Sequence, residues 1–158
     1  MSPQENRAAA EIALWGALLL FIWMRLTDGI VILGQSLGTV IVEQSPGRLL
    51  WTYVAAGVIA AIGQLIIHAV VFRKEKDMPA DERERFIERK ADQVAYWAGL
   101  IAINLVIGHV LLTALFKRSD VVALDFTSPA GILLALLTVL VLQEIVRGFA
   151  TLTLHRRT

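Results

Sequence analysis

The sequence predicts an all-α, polytopic membrane protein: a bundle of four transmembrane helices in one membrane domain. Three observations carry this. A bilayer's hydrocarbon core is ~30 Å thick and takes about 20 apolar helical residues to cross, and residues 49–72, 94–116 and 132–154 each meet that length. None of the three shows the polar stripe of a helix in a soluble bundle. Finally, 56% of the 158 residues are hydrophobic and the mean hydropathy is +0.64, beyond the ~45–50% apolar share of soluble domains. The spans are expected at about 8–35, 47–72, 93–116 and 130–154, with a cytosolic helical loop at 73–93.

The first span is the least regular. Its opening, "MSPQENRAAAEIALW", does not read as a cleaved signal, because Glu11 closely follows Arg7 and no small-residue cleavage site follows the apolar run. The apolar stretch 12–24 is too short to cross alone. The helix either stops at Arg25 or continues through "RLTDGIVILGQ" to about Gln35. Glu11, Arg25, Asp28 and Gln35 fall within roughly 120° of one face, which favours the longer helix, and Gly29 and Gly34 weigh against it.

The second and fourth spans each follow a Ser-Pro pair, Ser45-Pro46 and Ser128-Pro129. Ser suits the N-cap, and Pro suits the first helical position, where its missing N–H costs nothing. The third span follows "MPADERERFIERKADQVAYW". Asp81 is the expected N-cap, with Glu84 three residues on as in a capping box. No Pro or Gly interrupts Asp81 to Trp97, so one continuous helix is predicted, three turns in the cytosol and then the span. Glu82–Arg85, Arg85–Glu88 and Arg89–Asp92 are opposite charges at i,i+3, each worth tenths of a kcal/mol.

The two halves are alike. "ENRAAAEIALW" resembles "ERKADQVAYW", "SPGRLLW" resembles "SPAGILL", and "QLIIH" resembles "QEIVR". Trp15 to Ser45 and Trp97 to Ser128 are separated by 30 and 31 positions, which suits a first helix about as long as the third. This is either a tandem two-helix repeat of parallel type, unlike the inverted repeats of many transporters, or the general likeness of any two apolar hairpins.

Lys and Arg near the span ends set orientation. The 73–93 loop carries Arg73, Lys74, Lys76, Arg83, Arg85, Arg89 and Lys90, and Arg7, Arg156 and Arg157 share its side; the other side has Arg48, Lys117 and Arg118. Both termini and the charged loop are therefore expected in the cytoplasm, in a cell (inner) membrane. Trp51 and Tyr53 suit the outer interface, Tyr96 and Trp97 the inner one.

Several functions are disfavoured. A net charge of +1 gives no electrostatic footprint for nucleic acid. With no Cys, disulfides, thiolate metal sites and thiol catalysis are absent. Phosphate-loop, zinc-ligand, Gly-x-Ser-x-Gly and dinucleotide fingerprints are also missing, so neither a metal nor a cofactor is expected. His68 and His109 sit about 15 Å apart in depth at ~1.5 Å per residue, too far to hold one haem between them.

Ionisable residues in spans are functional candidates. An outer layer holds Arg25, Asp28 and His109, an inner one Gln64, His68, Gln143, Glu144 and Arg147, and Asn104 lies near the midplane. Arg25–Asp28 and Glu144–Arg147 are i,i+3 pairs that serve either as helix-to-helix glue or as part of a polar path. Gln64 and His68 share a face with Gly57 and Ala61, whose small size permits close helix approach. A thin bundle has little room for a pore, so a path favours a homo-oligomer, a dimer first.

"DERERFIERKADQVAYW" resembles the inter-span segment of a family of small, uncharacterised prokaryotic membrane proteins, in which a D-E-R-x-R…K-A stretch leads into an apolar helix. The resemblance implies an integral membrane protein with no assigned reaction. The four-span layout is also that of enzymes of eicosanoid and glutathione metabolism, but their Arg- and Glu-rich second-span signature is not matched. The leading expectation is a non-enzymatic module that binds or regulates a cytosolic protein partner through the helix extension, with Arg85, Phe86, Ile87 and Arg89 in contact. The alternative is a small oligomeric transporter or channel. A lipid-active enzyme has only Glu144, His68 and Arg147 to draw on.

Overall fold

A computed structural model of the chain describes residues 3–27, 41–72, 82–116 and 126–157. Among them are four helices: α1 (Pro3–Leu26), α2 (Pro46–Phe72), α3 (Glu82–Phe116) and α4 (Pro129–Arg157). Each contains a stretch long and apolar enough to cross a membrane. The one β-type pairing among the described residues is an isolated bridge, Thr27 to Ile41.

The helices form a row rather than a closed square. α4 packs along α1 on one side and α3 on the other; α2 packs on α1 and only brushes α4. Among the described residues α3 packs against neither α1 nor α2. The core lies where α1, α2 and α4 meet, around Leu18, Ile22, Leu26, Ala56, Leu134 and Val141. Inside it the Trp23 indole N–H donates to Thr138 Oγ1 at 3.1 Å, tying α1 to α4. The flanking helices leave large apolar side chains outward, such as Trp51 and Leu65 on α2 and Ile101 and Leu105 on α3. A helix apolar on nearly every side suits lipid on the faces that no neighbour covers.

A glycine lets the backbones approach at each seam. A Cβ at Gly63 would run into the Leu14 methyls, joining α2 to α1. One at Gly99 would sit 2.5 Å from Gln143 Nε2, joining α3 to α4. One at Gly148 would sit 2.7 Å from Ile12 Cγ1 and 3.5 Å from the Ala8 carbonyl oxygen, joining α4 to α1. Without a hydrophobic drive between helices in lipid, such small residues permit the close packing that holds the bundle.

α2 and α4 start at Pro46 and Pro129, as the Ser-Pro pairs predict. The Ser45 carbonyl accepts from Arg48 N at 2.9 Å and from Leu49 N at 3.1 Å. At α4 the cap also uses the side chain: Gly131 N donates to Ser128 Oγ at 3.1 Å, three residues into the helix. Ser128→Ala is expected to cost about 1 kcal/mol, read as a lower denaturation midpoint in detergent with unchanged helical content.

α1 does not run to Gln35. It ends at Leu26, and the returning chain closes its end. Val42 N donates to the Leu26 carbonyl at 3.0 Å, the Gln44 amide donates to the Arg25 carbonyl, and Thr27 Oγ1 donates to the Trp23 carbonyl at 2.5 Å. The last carbonyls of a helix need such partners, and here the 41–44 segment supplies them where another turn of helix would have. Asp28 and Gln35 lie outside the described residues. α1 is consequently 24 residues against 35 for α3, so the two halves differ in length. They differ in arrangement too: α1 packs on α4, whereas α2 does not pack on α3.

Candidate functional site

The N-terminal end of α1, the start of α3 and the C-terminal end of α4 meet at one end of the bundle. Arg156 Nε of α4 lies 3.8 Å from Glu5 Oε1 of α1, which brings the two chain termini together. Between the three helices is a cleft of about 70 Å³ lined by Arg7, Ala8, Glu11, Glu84, Glu88, Arg147, Thr151 and His155. Arg7 Nε pairs with Glu11 Oε1 at 3.0 Å along α1. Arg147 bridges two helices: its Nε is 2.7 Å from Asp92 Oδ1 on α3, and its Nη1 is 3.9 Å from Glu144 Oε2 on α4.

The start of α3 sorts its side chains into rows spaced by four residues, neighbours on one helix face. Ile87, Ala91 and Ala95 form a buried row, and α4 is the helix that α3 packs against. Glu84 and Glu88 line the cleft, and Asp92, next in that row, meets Arg147. Arg85 and Arg89, and Phe86 and Lys90, make two exposed rows. Lys90 Nζ stands 5.8 Å from the Phe86 ring centroid, within range of a cation–π contact. The extension is thus acidic and apolar inward, basic and aromatic outward.

Ile87 is a correction. Expected as a contact residue, it is only 1% exposed and anchors the extension. The apolar row at 87, 91 and 95 gives α3 a packed side before the span begins, so the extension is braced along its length. Phe86, 58% exposed, keeps the outward position with Arg85 and Arg89.

The other sequence candidates are spread out. Arg25 is exposed at the last turn of α1. On α2, Gln64 is half-buried and His68 exposed. Asn104 is exposed on α3, its amide donating to the Leu100 carbonyl of its own helix at 2.8 Å. The half-buried His109 ring meets Phe126 edge-on, centroids 5.2 Å apart. Gln143 covers Gly99. Of the nine intramembrane candidates, the ion pairs bring Glu144 and Arg147 together, and Arg147 is shared with Asp92 of α3. Since Asp92 precedes the apolar run 94–116, Arg147 lies level with the point where α3 turns from polar to apolar. The exposed Tyr96 and Trp97, whose rings meet edge-on at 5.9 Å, follow Asp92 by four and five residues along α3.

Sequence reasoning passed over Arg7, Glu84, Glu88, Thr151 and His155 as site residues. The i,i+4 recurrence of acids at 84, 88 and 92, and the Arg7–Glu11 spacing, were the available signals. The register of α4 against α3, which brings Arg147 to Asp92, has no local signal. Among the described residues no three His, Asp or Glu side chains converge to hold a metal ion.

Fold and site together define an all-α, multi-pass membrane protein in which most charged groups among the described residues gather at the end where α1 begins and α4 ends. No family model, no curated protein and no solved structure matches the chain.

Proposed function

We propose that the protein is a non-enzymatic docking module of the cell (inner) membrane, with both termini in the cytoplasm and the outward face of the α3 extension as its contact surface. The observation that carries this reading is the sorting of charge around α3. Glu84, Glu88 and Asp92 are turned toward the cleft and Arg147, which leaves Arg85, Arg89 and Lys90 to dominate the exposed side beside Phe86. A face of that kind recruits an acidic partner by charge complementarity. The brace of Ile87, Ala91 and Ala95 holds it in one orientation relative to the span, so little ordering cost is left for binding. The sequence resemblance to small prokaryotic membrane proteins supports the same location.

The test is charge reversal on the outer face of the full chain: Arg85→Glu with Arg89→Glu and Lys90→Glu. None of these side chains is in the core, so helical content and monodispersity in detergent should match the wild type. Whatever co-purifies from native membranes with the wild type should fall about tenfold or more with the variant. An unchanged set of bound components at unchanged yield rules the docking surface out.

A further inference from the structure

We infer that the acidic partner of this face is the anionic phospholipid headgroup layer, so that Arg89 and Lys90 are a lipid-headgroup site; the inference rests on the docking reading above.

Two features of α3 point to lipid. First, the outward rows continue without a break into the apolar surface of the span. Phe86, Lys90, Val94, Trp97 and Ile101 fall on one exposed strip, and Arg85, Arg89 and Tyr96 on its neighbour. The surface that covers Trp97 and Ile101 in a membrane is lipid, and the basic residues stand directly above it. Second, the distances fit. Lys90 and Arg89 precede Val94 by four and five residues, about 6–8 Å of helix. Each headgroup layer is roughly 5–8 Å deep. Their charges therefore lie at phosphate level, just outside the Tyr96–Trp97 girdle that marks the interface. The Lys90 ammonium stands beside the Phe86 ring, on the same strip. Glu82 is also exposed on this side, but it lies eight residues further out than Lys90 and leaves the basic excess at phosphate level intact. In a membrane, an acidic protein approaching the same rows would have to displace the headgroups expected around Trp97.

The experiment uses the full chain in vesicles of phosphatidylcholine mixed with phosphatidylglycerol. The protein is extracted in mild detergent and the retained lipid quantified. Wild type should retain phosphatidylglycerol in preference to phosphatidylcholine, less so at high salt. Arg89→Gln and Lys90→Gln should each weaken that preference about fivefold. Arg156→Gln, a like change on α4 at the same end of the bundle, should leave it unaltered. Equal retention by wild type and the double Gln variant overturns the inference, as does an equal loss in Arg156→Gln, which would make the effect one of net charge. If lipid retention is unchanged while the Glu variants above still shed a bound protein, the docking surface stands and the lipid assignment fails. If neither changes, both fail.

Discussion

Replacing Gly148 by Leu is expected to destabilise the fold by about 3 kcal/mol, the upper part of the usual range for overpacking. The argument rests on what a side chain there would meet. A Cβ alone would stand 2.7 Å from Ile12 Cγ1 and 3.5 Å from the Ala8 carbonyl oxygen. Cγ1 is not the swinging end of its side chain, and the Ala8 backbone oxygen already stands at contact distance, so the rest of a Leu side chain finds room only if α1 shifts. Moving it disturbs the α1–α4 seam, which includes the Trp23–Thr138 hydrogen bond. The other seam glycines face softer neighbours: Leu14 methyls at Gly63 and the Gln143 amide at Gly99. Leu substitutions should therefore rank Gly148 first, then Gly99, then Gly63. Gly108 and Gly57 have nothing within 4 Å of a built Cβ, and Leu at either should shift stability by no more than about 0.5 kcal/mol. Denaturant midpoints in mixed micelles, followed by tryptophan fluorescence and helical content, give the order. Equal shifts at Gly148 and Gly108 would show that α1 and α4 do not meet there.

The glycine contrast also shows what was legible in the sequence. Hydropathy alone distinguishes three of the four helices, since an apolar run of span length has few other uses; the apolar stretch of the first, 12–24, is shorter than a span. Helix starts at Pro46 and Pro129 were legible because capping is local chemistry. The end of α1 was not. Glu11, Arg25, Asp28 and Gln35 share a face on paper, but the Leu26 and Arg25 carbonyls are taken by Val42 and Gln44, which are distant in sequence. Nor do the glycines announce their roles: Gly57, with Ala61, had the look of a packing stripe, yet it meets nothing within 4 Å, whereas Gly63 meets α1. Ile87 fails for a related reason. A large apolar residue in a charged segment looks exposed until the row at 91 and 95 is recognised as a second packed side. Long-range register also decides the site: only the alignment of α4 with α3 adds, to the Arg147 pair with Glu144, a bridge to Asp92 at 2.7 Å.

Charge reversal at that bridge, Arg147→Glu, is expected to cost about 2 kcal/mol and to loosen the α3 extension from α4. The magnitude follows from exposure. The side chains of Arg147, Asp92 and Glu144 are 43%, 57% and 39% exposed. A fully buried pair broken on one side costs ~3–5 kcal/mol and an exposed one ~0–1 kcal/mol, so neutral Arg147→Met should fall near the upper end of the exposed case, about 1 kcal/mol. Reversal adds repulsion. The new carboxylate would face Asp92 and Glu144 directly, with Glu11, Glu84 and Glu88 lining the same cleft. Because these groups are partly solvated, the penalty should shrink as salt rises. The pair itself is tested by swapping it: Asp92→Arg combined with Arg147→Asp should recover most of the loss, whereas each single reversal remains unstable. If the double variant is as unstable as the two losses combined, Asp92 and Arg147 are not coupled, and the brace must rest on Ile87, Ala91 and Ala95 alone. If it recovers, the swapped chain also separates bracing from docking. It keeps Arg89 and Lys90 untouched, so its anionic-lipid preference should return together with its stability.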